Sequence, residues 1–243
     1  MFEGKPGCSG SGRGNMDSDI LLKDGDEIEL LSEGGIRVLQ NRNLYCFTSD
    51  SVLLARFASF KKNDTVADFC AGCGIVGYQY YAIHPSVRSV TFFEMQEELA
   101  DLCRRTAALN GQDGFTTECV RLQEIGGKYG EYFSLVLCNP PYETGGFEHE
   151  EYKKAVCRKE ITITLAEVVS AASSALKFGG RFAVANRADR LAEVLYTMQR
   201  SGIEPKRVRF VRGKAGAKPY LLLAEGVKGG KPGTEILPDI VNG

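Results

Sequence analysis

Val66-Ala67-Asp68-Phe69-Cys70-Ala71-Gly72-Cys73-Gly74-Ile75-Val76-Gly77 is the stretch whose reading decides the fold. It enters as an apolar run, turns on glycines and leaves as a second apolar run. Val66 to Cys70 reads as a strand and Ile75 to Ile83 as the helix after it. Gly72, Gly74 and Gly77 fall where the chain has to turn tightly and let backbone approach a ligand closely.

Downstream the alternation continues. Ser89 to Glu94 reads as a second strand. Gln96 to Asn110 reads as a helix with Leu99, Leu102, Cys103, Thr106 and Leu109 on one face. A third strand falls within Phe115 to Leu122. Phe133 to Cys138, apolar almost throughout, reads as a fourth strand buried on both faces. Ile161 to Leu176 reads as a helix closed by Gly179-Gly180. Arg181 to Ala185 is a fifth strand, Arg187 to Arg200 a helix, and Val208 to Val211 with Tyr220 to Ala224 a terminal strand pair. Upstream, Asp26 to Leu31 and Ile36 to Leu39 flank Gly34-Gly35 as a hairpin. Ser49 and Asp50 are placed to cap a helix running to about Phe60. The pattern predicts an α/β fold with a mainly parallel seven-stranded sheet, an antiparallel C-terminal strand pair and a small N-terminal hairpin. Such sheets bind ligands at the carboxyl ends of their strands, near the point where strand order reverses.

With 243 residues and 43% hydrophobic content, one globular domain with a full core is expected. Residues 1–15, rich in Gly and Ser, read as a disordered leader or tag, with Met16 a candidate natural start. Residues 16–62 form the hairpin and helix, 63–228 the main domain and 229–243 a tail. No apolar run is long enough to span a bilayer, and the start lacks a signal pattern. Of the 8 cysteines, Cys70, Cys103, Cys119 and Cys138 sit in apolar or helical patterns as small hydrophobes. Cys70 and Cys73 make a CxxC, but with no second pair and only 2 histidines no metal site is implied. A reduced, cytoplasmic protein is expected.

Asp68 carries the first chemical hint. A carboxylate before the glycine turn repels a pyrophosphate but holds an ammonium, which favours S-adenosylmethionine over a dinucleotide. Glu94, ending the second strand, is placed to accept hydrogen bonds from two ribose hydroxyls. The second hint is Asn139-Pro140-Pro141-Tyr142, directly after the fourth strand. An exocyclic amine on a flat ring is a weak nucleophile. The side-chain oxygen of Asn139 and the carbonyl of Pro140 offer two acceptors for its N–H bonds. These contacts strengthen as the nitrogen gains positive character, a transition-state effect worth about 3 kcal/mol each. Pro140 and Pro141 stiffen the loop and bring no competing N–H. Tyr142 is suited to stacking on the target. No general base is needed, and His84 and His149 read as surface residues.

Six basic residues and no acid lie between Lys206 and Lys218: Lys206, Arg207, Arg209, Arg212, Lys214 and Lys218. Arg181 to Lys228 holds eleven basic and four acidic residues in a chain whose net charge is −1. That asymmetry suits a phosphate backbone. Lys153, Lys154, Arg158 and Lys159 extend it toward Tyr142.

Asp50-Ser51-Val52-Leu53-Leu54, the Asp68–Gly77 turn, Glu94-Met95-Gln96 with Asn110, and Asn139-Pro140-Pro141-Tyr142 follow one another as in the tRNA1(Val) adenine-37 N6-methyltransferase family. Arg158-Lys159-Glu160, Leu176-Lys177-Phe178-Gly179-Gly180-Arg181 and Val211-Arg212-Gly213-Lys214 fit it too. The chain resembles that family from about Ile20 to its end. The resemblance implies a Rossmann-like class I methyltransferase fold and S-adenosylmethionine as donor, leaving S-adenosylhomocysteine. It implies adenine 37 of a tRNA anticodon loop as target. Asp50, Asp68, Cys70, Gly72, Gly74, Glu94, Met95 and Asn139 would then hold the cofactor. Asn139, Pro140 and Tyr142 would act on the target, and Pro141, Tyr142, Arg158, Arg209, Arg212 and Lys214 would bind substrate. Cys70 replaces the usual first glycine, Arg121 stands where an acid is expected with Gln123 and Glu124 as substitutes, and Ser134 replaces an Asp. Two alternatives remain open: a protein glutamine N5-methyltransferase, whose target amide is equally flat, and a non-enzymatic RNA-binding module with a degenerate cofactor pocket. A monomer is favoured.

Overall fold

The computed structural model describes residues 22–44, 46–112, 114–141 and 163–242. The expectations for residues 1–15, Tyr142, His149, Lys153, Lys154, Arg158 and Lys159 lie outside them. Strands β1 (Asp26–Leu30) and β2 (Arg37–Asn41) form the hairpin. Helix α1 is Ser49–Phe57, β3 Thr65–Phe69, α2 Ile75–Ile83, β4 Ser89–Glu94, α3 Glu97–Leu109 and β5 Thr116–Cys119. A 3-10 turn at Leu122–Glu124 and a short α4 at Gly126–Tyr129 lead to β6 (Phe133–Cys138). Then come α5 (Leu165–Ala175), β7 (Leu176–Arg187), a 3-10 turn at Ala188–Arg190, α6 (Leu191–Arg200), β8 (Ile203–Arg212) and β9 (Leu221–Lys228). Two-residue strands β10 (Glu235–Ile236) and β11 (Ile240–Val241) finish the chain.

The main sheet runs β5-β4-β3-β6-β7-β9-β8, parallel except for β9, which is antiparallel to both neighbours. Every side chain of β3 is buried, as a central parallel strand requires. On one face, α1, α2, α3 and the hairpin enclose Leu54, Phe57, Tyr78, Tyr80 and Leu102; on the other, α4, α5 and α6 enclose Phe69, Phe93, Phe133, Val168 and Met198. Burying each large side chain stabilises the fold by about 1.5–3 kcal/mol. The hairpin is held to α3 by polar contacts. Thr106 Oγ1 accepts from the N–H of Leu39 at 3.0 Å, and the Asn110 amide pairs with both backbone groups of Arg37 at 2.9 and 2.7 Å.

Three local readings need correction. Thr48, not Ser49 or Asp50, is the residue that precedes α1, and among the described residues no side chain caps that end by hydrogen bonding. Gly179-Gly180 does not close a helix. Leu176 already pairs with Phe133, and pairing resumes at Arg181 with Leu135, so residues 177–180 bulge out of β7, with Gly179 at φ +73°. A Cβ on Gly180 would lie 2.8 Å from the Lys177 oxygen, which is why glycine stands there. Finally, residues 229–242, expected as part of a tail over 229–243, include two short strands: β10 and β11 pair in parallel with β8 and cover its edge.

Candidate active site

The strand order reverses between β3 and β6, and both carboxyl ends open on one rim. Register pairs Phe69 with Cys138 and with Phe93. The glycine turn, Glu94 and Asn139 therefore leave three adjacent strands side by side. This is the place where open α/β sheets bind ligands.

The turn is built from left-handed backbone. Cys70 has φ +55°, Gly72 +57° and Gly74 +85°. Cys70 thus adopts the conformation a glycine would supply, at a cost of roughly 1–2 kcal/mol for an L-residue. Its thiol contacts that of Cys138. Cys73 is fully buried, and burial pushes its thiol up to about 12, so the second half of the CxxC is core. Gly77 is needed for a different reason: a Cβ there would lie 2.6 Å from the Phe92 ring, so α2 packs directly on β4.

Asp68 is buried at the base of this turn. Its Oδ2 accepts the N–H of Gly77 at 2.8 Å, whereas its Oδ1 is buried with no hydrogen-bond partner among the described residues. Burial pushes the carboxyl up to about 8; the Gly77 hydrogen bond opposes this and the Glu94 charge adds to it. An orphaned buried carboxylate oxygen is costly unless a donor arrives. The site therefore fits a ligand that brings an ammonium group. Glu94 Oε2 accepts the N–H of Gly72 and Oε1 that of Gln96, both at 2.9 Å. Its carboxyl is raised by burial. Each oxygen keeps lone-pair capacity for a ligand hydroxyl. Met95 follows half-buried beside it.

Asn139 is half-buried at the end of β6, Pro140 is buried and Pro141 half-buried. Asn139 Nδ2 donates to Ser51 Oγ at 3.0 Å. Asp50, in the first turn of α1, bonds to the Tyr220 hydroxyl; its carboxyl is raised by burial against the opposing effect of that bond. Asn242 Nδ2 reaches both Tyr220 Oη at 3.0 Å and Ser49 Oγ at 3.2 Å. The chain end thus closes over the start of α1. The sequence singled out Ser51 only as part of the Asp50–Leu54 string of the resemblance, and offered no local sign of Tyr220 or Asn242 as site neighbours.

The basic segment divides. Arg207 pairs with Glu225 at 3.1 Å and lies over the Phe57 ring, so it is structural. Arg212 pairs with Asp239, and Lys206 donates to the Lys231 oxygen at 3.0 Å. Arg209 is half-buried. Lys214 and Lys218 are exposed on the β8–β9 hairpin tip, at the same rim as Asn139 because Leu221 pairs with Arg187 at the end of β7. Arg181, by contrast, is buried far from the rim against Asp64 at 2.6 Å. Ser134 donates to that Asp64 at 2.7 Å, which explains the serine: an aspartate there would face a second carboxylate. His84 stacks on Phe60 at 4.4 Å beyond the end of α2, away from the rim. Arg121 is exposed, and Gln123 donates to Glu167 at 3.1 Å.

The methyltransferase small domain family matches residues 46–201, well over half of the chain. The chain belongs to that family. As a methyltransferase of this family it resembles, among curated proteins, a tRNA1(Val) (adenine(37)-N6)-methyltransferase of Shewanella sp. (strain MR-4), 25% identical over 190 residues that cover 73% of this chain and 77% of that one. Among solved structures the methyltransferase fold is shared with "a predicted O-methyltransferase, protein Atu636" from Agrobacterium tumefaciens. The TM-score is 0.64 at 19% identity, covering 79% of this chain and 86% of that one. It is shared also with P. horikoshii TYW2 in complex with MeSAdo, at TM-score 0.59 and 15% identity, covering 86% and 73%.

Proposed function

We propose that this methyltransferase uses S-adenosylmethionine to methylate the N6 amine of an adenine in RNA, namely adenine 37 of a tRNA anticodon loop. The observation that carries the reading is the pairing of Phe69 with Cys138, which sets the glycine turn and Asn139 at neighbouring strand ends. The name of the curated relatives points the same way. S-adenosylmethionine, when bound, supplies an electrophilic methyl group and an α-ammonium. Asp68 Oδ1 takes the ammonium and Glu94 the ribose hydroxyls. Asn139 Oδ1 and the Pro140 carbonyl accept the N–H bonds of the target amine, and their hold tightens as its nitrogen becomes positive. Lys214 and Lys218 meet the RNA phosphates beside the site. Tyr142 and Arg158 belong to this reading as a stacking ring and a phosphate contact. No metal enters it, and the protein acts in the cytoplasm; no helix among the described residues is long and apolar enough to cross a membrane.

Total tRNA lacking the modification, incubated with labelled donor and digested for nucleoside mass spectrometry, should yield N6-methyladenosine from the anticodon loop. Asn139→Ala should lower turnover by about 100-fold or more, in line with removal of one preorganised contact. Label in a protein amide, or full turnover by Asn139→Ala, would overturn the assignment.

A further inference from the structure

The carboxamide of Asn139 has two ends of opposite character, and only one serves a target amine. Its oxygen accepts an N–H; its nitrogen carries two hydrogens and would oppose one. Whatever fixes the rotation of that amide fixes whether the site meets an amine with an acceptor or with a donor.

Ser51 is the residue placed to do so. Its Oγ lies 3.0 Å from Asn139 Nδ2, across 88 residues of sequence. It is 2% exposed, so water does not compete freely for the contact. Its backbone is fixed, since its N–H donates to the Thr48 oxygen in the first turn of α1. The helix is itself anchored. Leu54, Ala55 and Phe57 are buried. Just past its end, the Ser59 N–H donates to Glu225 Oε2 at 2.6 Å, and Arg181 donates to the Ser59 oxygen at 2.7 Å. The hydroxyl is therefore delivered by a rigid element rather than a loop, which is what holding a reactive group in a narrow range of angles requires.

We infer that Ser51 is a positioning residue for methyl transfer: its hydroxyl oxygen accepts one N–H of Asn139 Nδ2 and so turns Oδ1 of the same amide toward the target amine. This rests on the proposed reading of Asn139 as the acceptor for that amine. A serine hydroxyl can also donate. Here it accepts from Nδ2, and the target amine, whose N–H bonds need the amide oxygen, reinforces that direction. The N-terminal helix α1, outside the sheet, thereby becomes part of the reaction geometry.

The experiment compares Ser51→Ala, Ser51→Thr, Asn139→Ala and the double variant Ser51→Ala/Asn139→Ala. Turnover is measured on total tRNA lacking the modification, donor affinity by calorimetry and folding by thermal denaturation. Ser51→Ala should lower kcat roughly 10- to 100-fold, the range for losing a contact that orients a reacting group, with donor Kd and Tm unchanged. Ser51→Thr keeps the hydroxyl and should recover kcat to within a few-fold. In the double variant, Ser51→Ala should add no loss to that of Asn139→Ala, because it acts only through that side chain. Wild-type kcat in Ser51→Ala, or losses that multiply in the double variant, would overturn the positioning role while the reading of Asn139 stands. Full turnover in Asn139→Ala would overturn that reading itself, and the positioning role with it.

Discussion

Asp68 makes a quantitative prediction about cofactor binding. Its Oδ1 is buried without a hydrogen-bond partner among the described residues, and its carboxyl is pushed up to about 8, chiefly by burial. Without ligand at neutral pH the group is therefore mostly protonated. An ammonium docking on Oδ1 requires the carboxylate. Binding S-adenosylmethionine below pH 8 must then expel a proton. Linkage sets the size: affinity should rise about tenfold, or about 1.4 kcal/mol, for each pH unit between roughly 5.5 and 6.5. Above that window the slope should flatten, as Asp68 begins to ionise without ligand and the ligand's own amine starts to lose its proton. At pH 7 net release should be about 0.8 proton per cofactor bound, about 0.9 from Asp68 less about 0.1 taken up by the ligand's amine. Titration calorimetry in two buffers of different ionisation enthalpy reads that number directly. Asp68→Asn should bind more weakly, release no proton and show no slope. The protein without cofactor should respond in the opposite sense. The folded-state pKa lies above the unfolded value near 3.8, so the folded form holds a proton that the unfolded form has lost. Stability therefore falls as pH rises between about 4 and 8, and the gain in Tm from cofactor should be largest at the upper end. Zero proton release at pH 7, with Asp68→Asn binding as tightly as the native protein, would refute the argument.

Two further outcomes bear on the substrate surface and the packing of the turn. Lys214→Glu with Lys218→Glu should weaken RNA binding and reduce the slope of log K against log salt by about 1.4, or about 0.7 for each phosphate contact to a single strand; an unchanged slope in filter binding would remove the hairpin tip from the interface. Gly77→Ala would set a Cβ 2.6 Å from Phe92 Cε1 and 3.2 Å from Asp68 Oδ2. It should destabilise the fold by about 1–3 kcal/mol as α2 is forced off β4, read as a lower urea midpoint; a native midpoint would mean the contact relaxes without cost.

The central strands were legible in the sequence because their burial leaves a direct trace. β4, β6 and α2 begin and end where the apolar runs do, since a strand covered on both faces admits few polar residues. The start of β7 was not legible. Lys177-Phe178-Gly179-Gly180 carries helix-ending signals, and only the Leu176–Phe133 pairing shows that the strand has already begun. β10 and β11, two residues each, have no periodicity to detect. They are strands because β8 offers an open edge and Arg212 holds Asp239 beside it. In both cases the deciding partner lies far away in sequence, and local propensity is silent about it.

The same division runs through the site, and it separates two kinds of residue. Asp68, Glu94 and Asn139 were legible because each ends a readable strand, so topology alone brings them to one rim. Ser51, Tyr220 and Asn242 were not, because they come from α1, the turn just before β9 and the far end of the described chain, and meet only through packing. The first set lies where donor and target would lie; in the second, Ser51 touches Asn139, and Tyr220 and Asn242 close over the start of the helix that carries Ser51. The Asp64–Arg181 pair, the Glu225–Ser59 bond and the buried face of α1 fix where Ser51 points. Positional precision at Asn139 is thus a property of the whole α1 face. A destabilising change as remote as Arg181, if it tilts α1 without unfolding the sheet, should lower turnover more than cofactor affinity, because of the residues expected to hold the cofactor only Asp50 rides on α1, while Asp68 and Glu94 are held by β3 and β4.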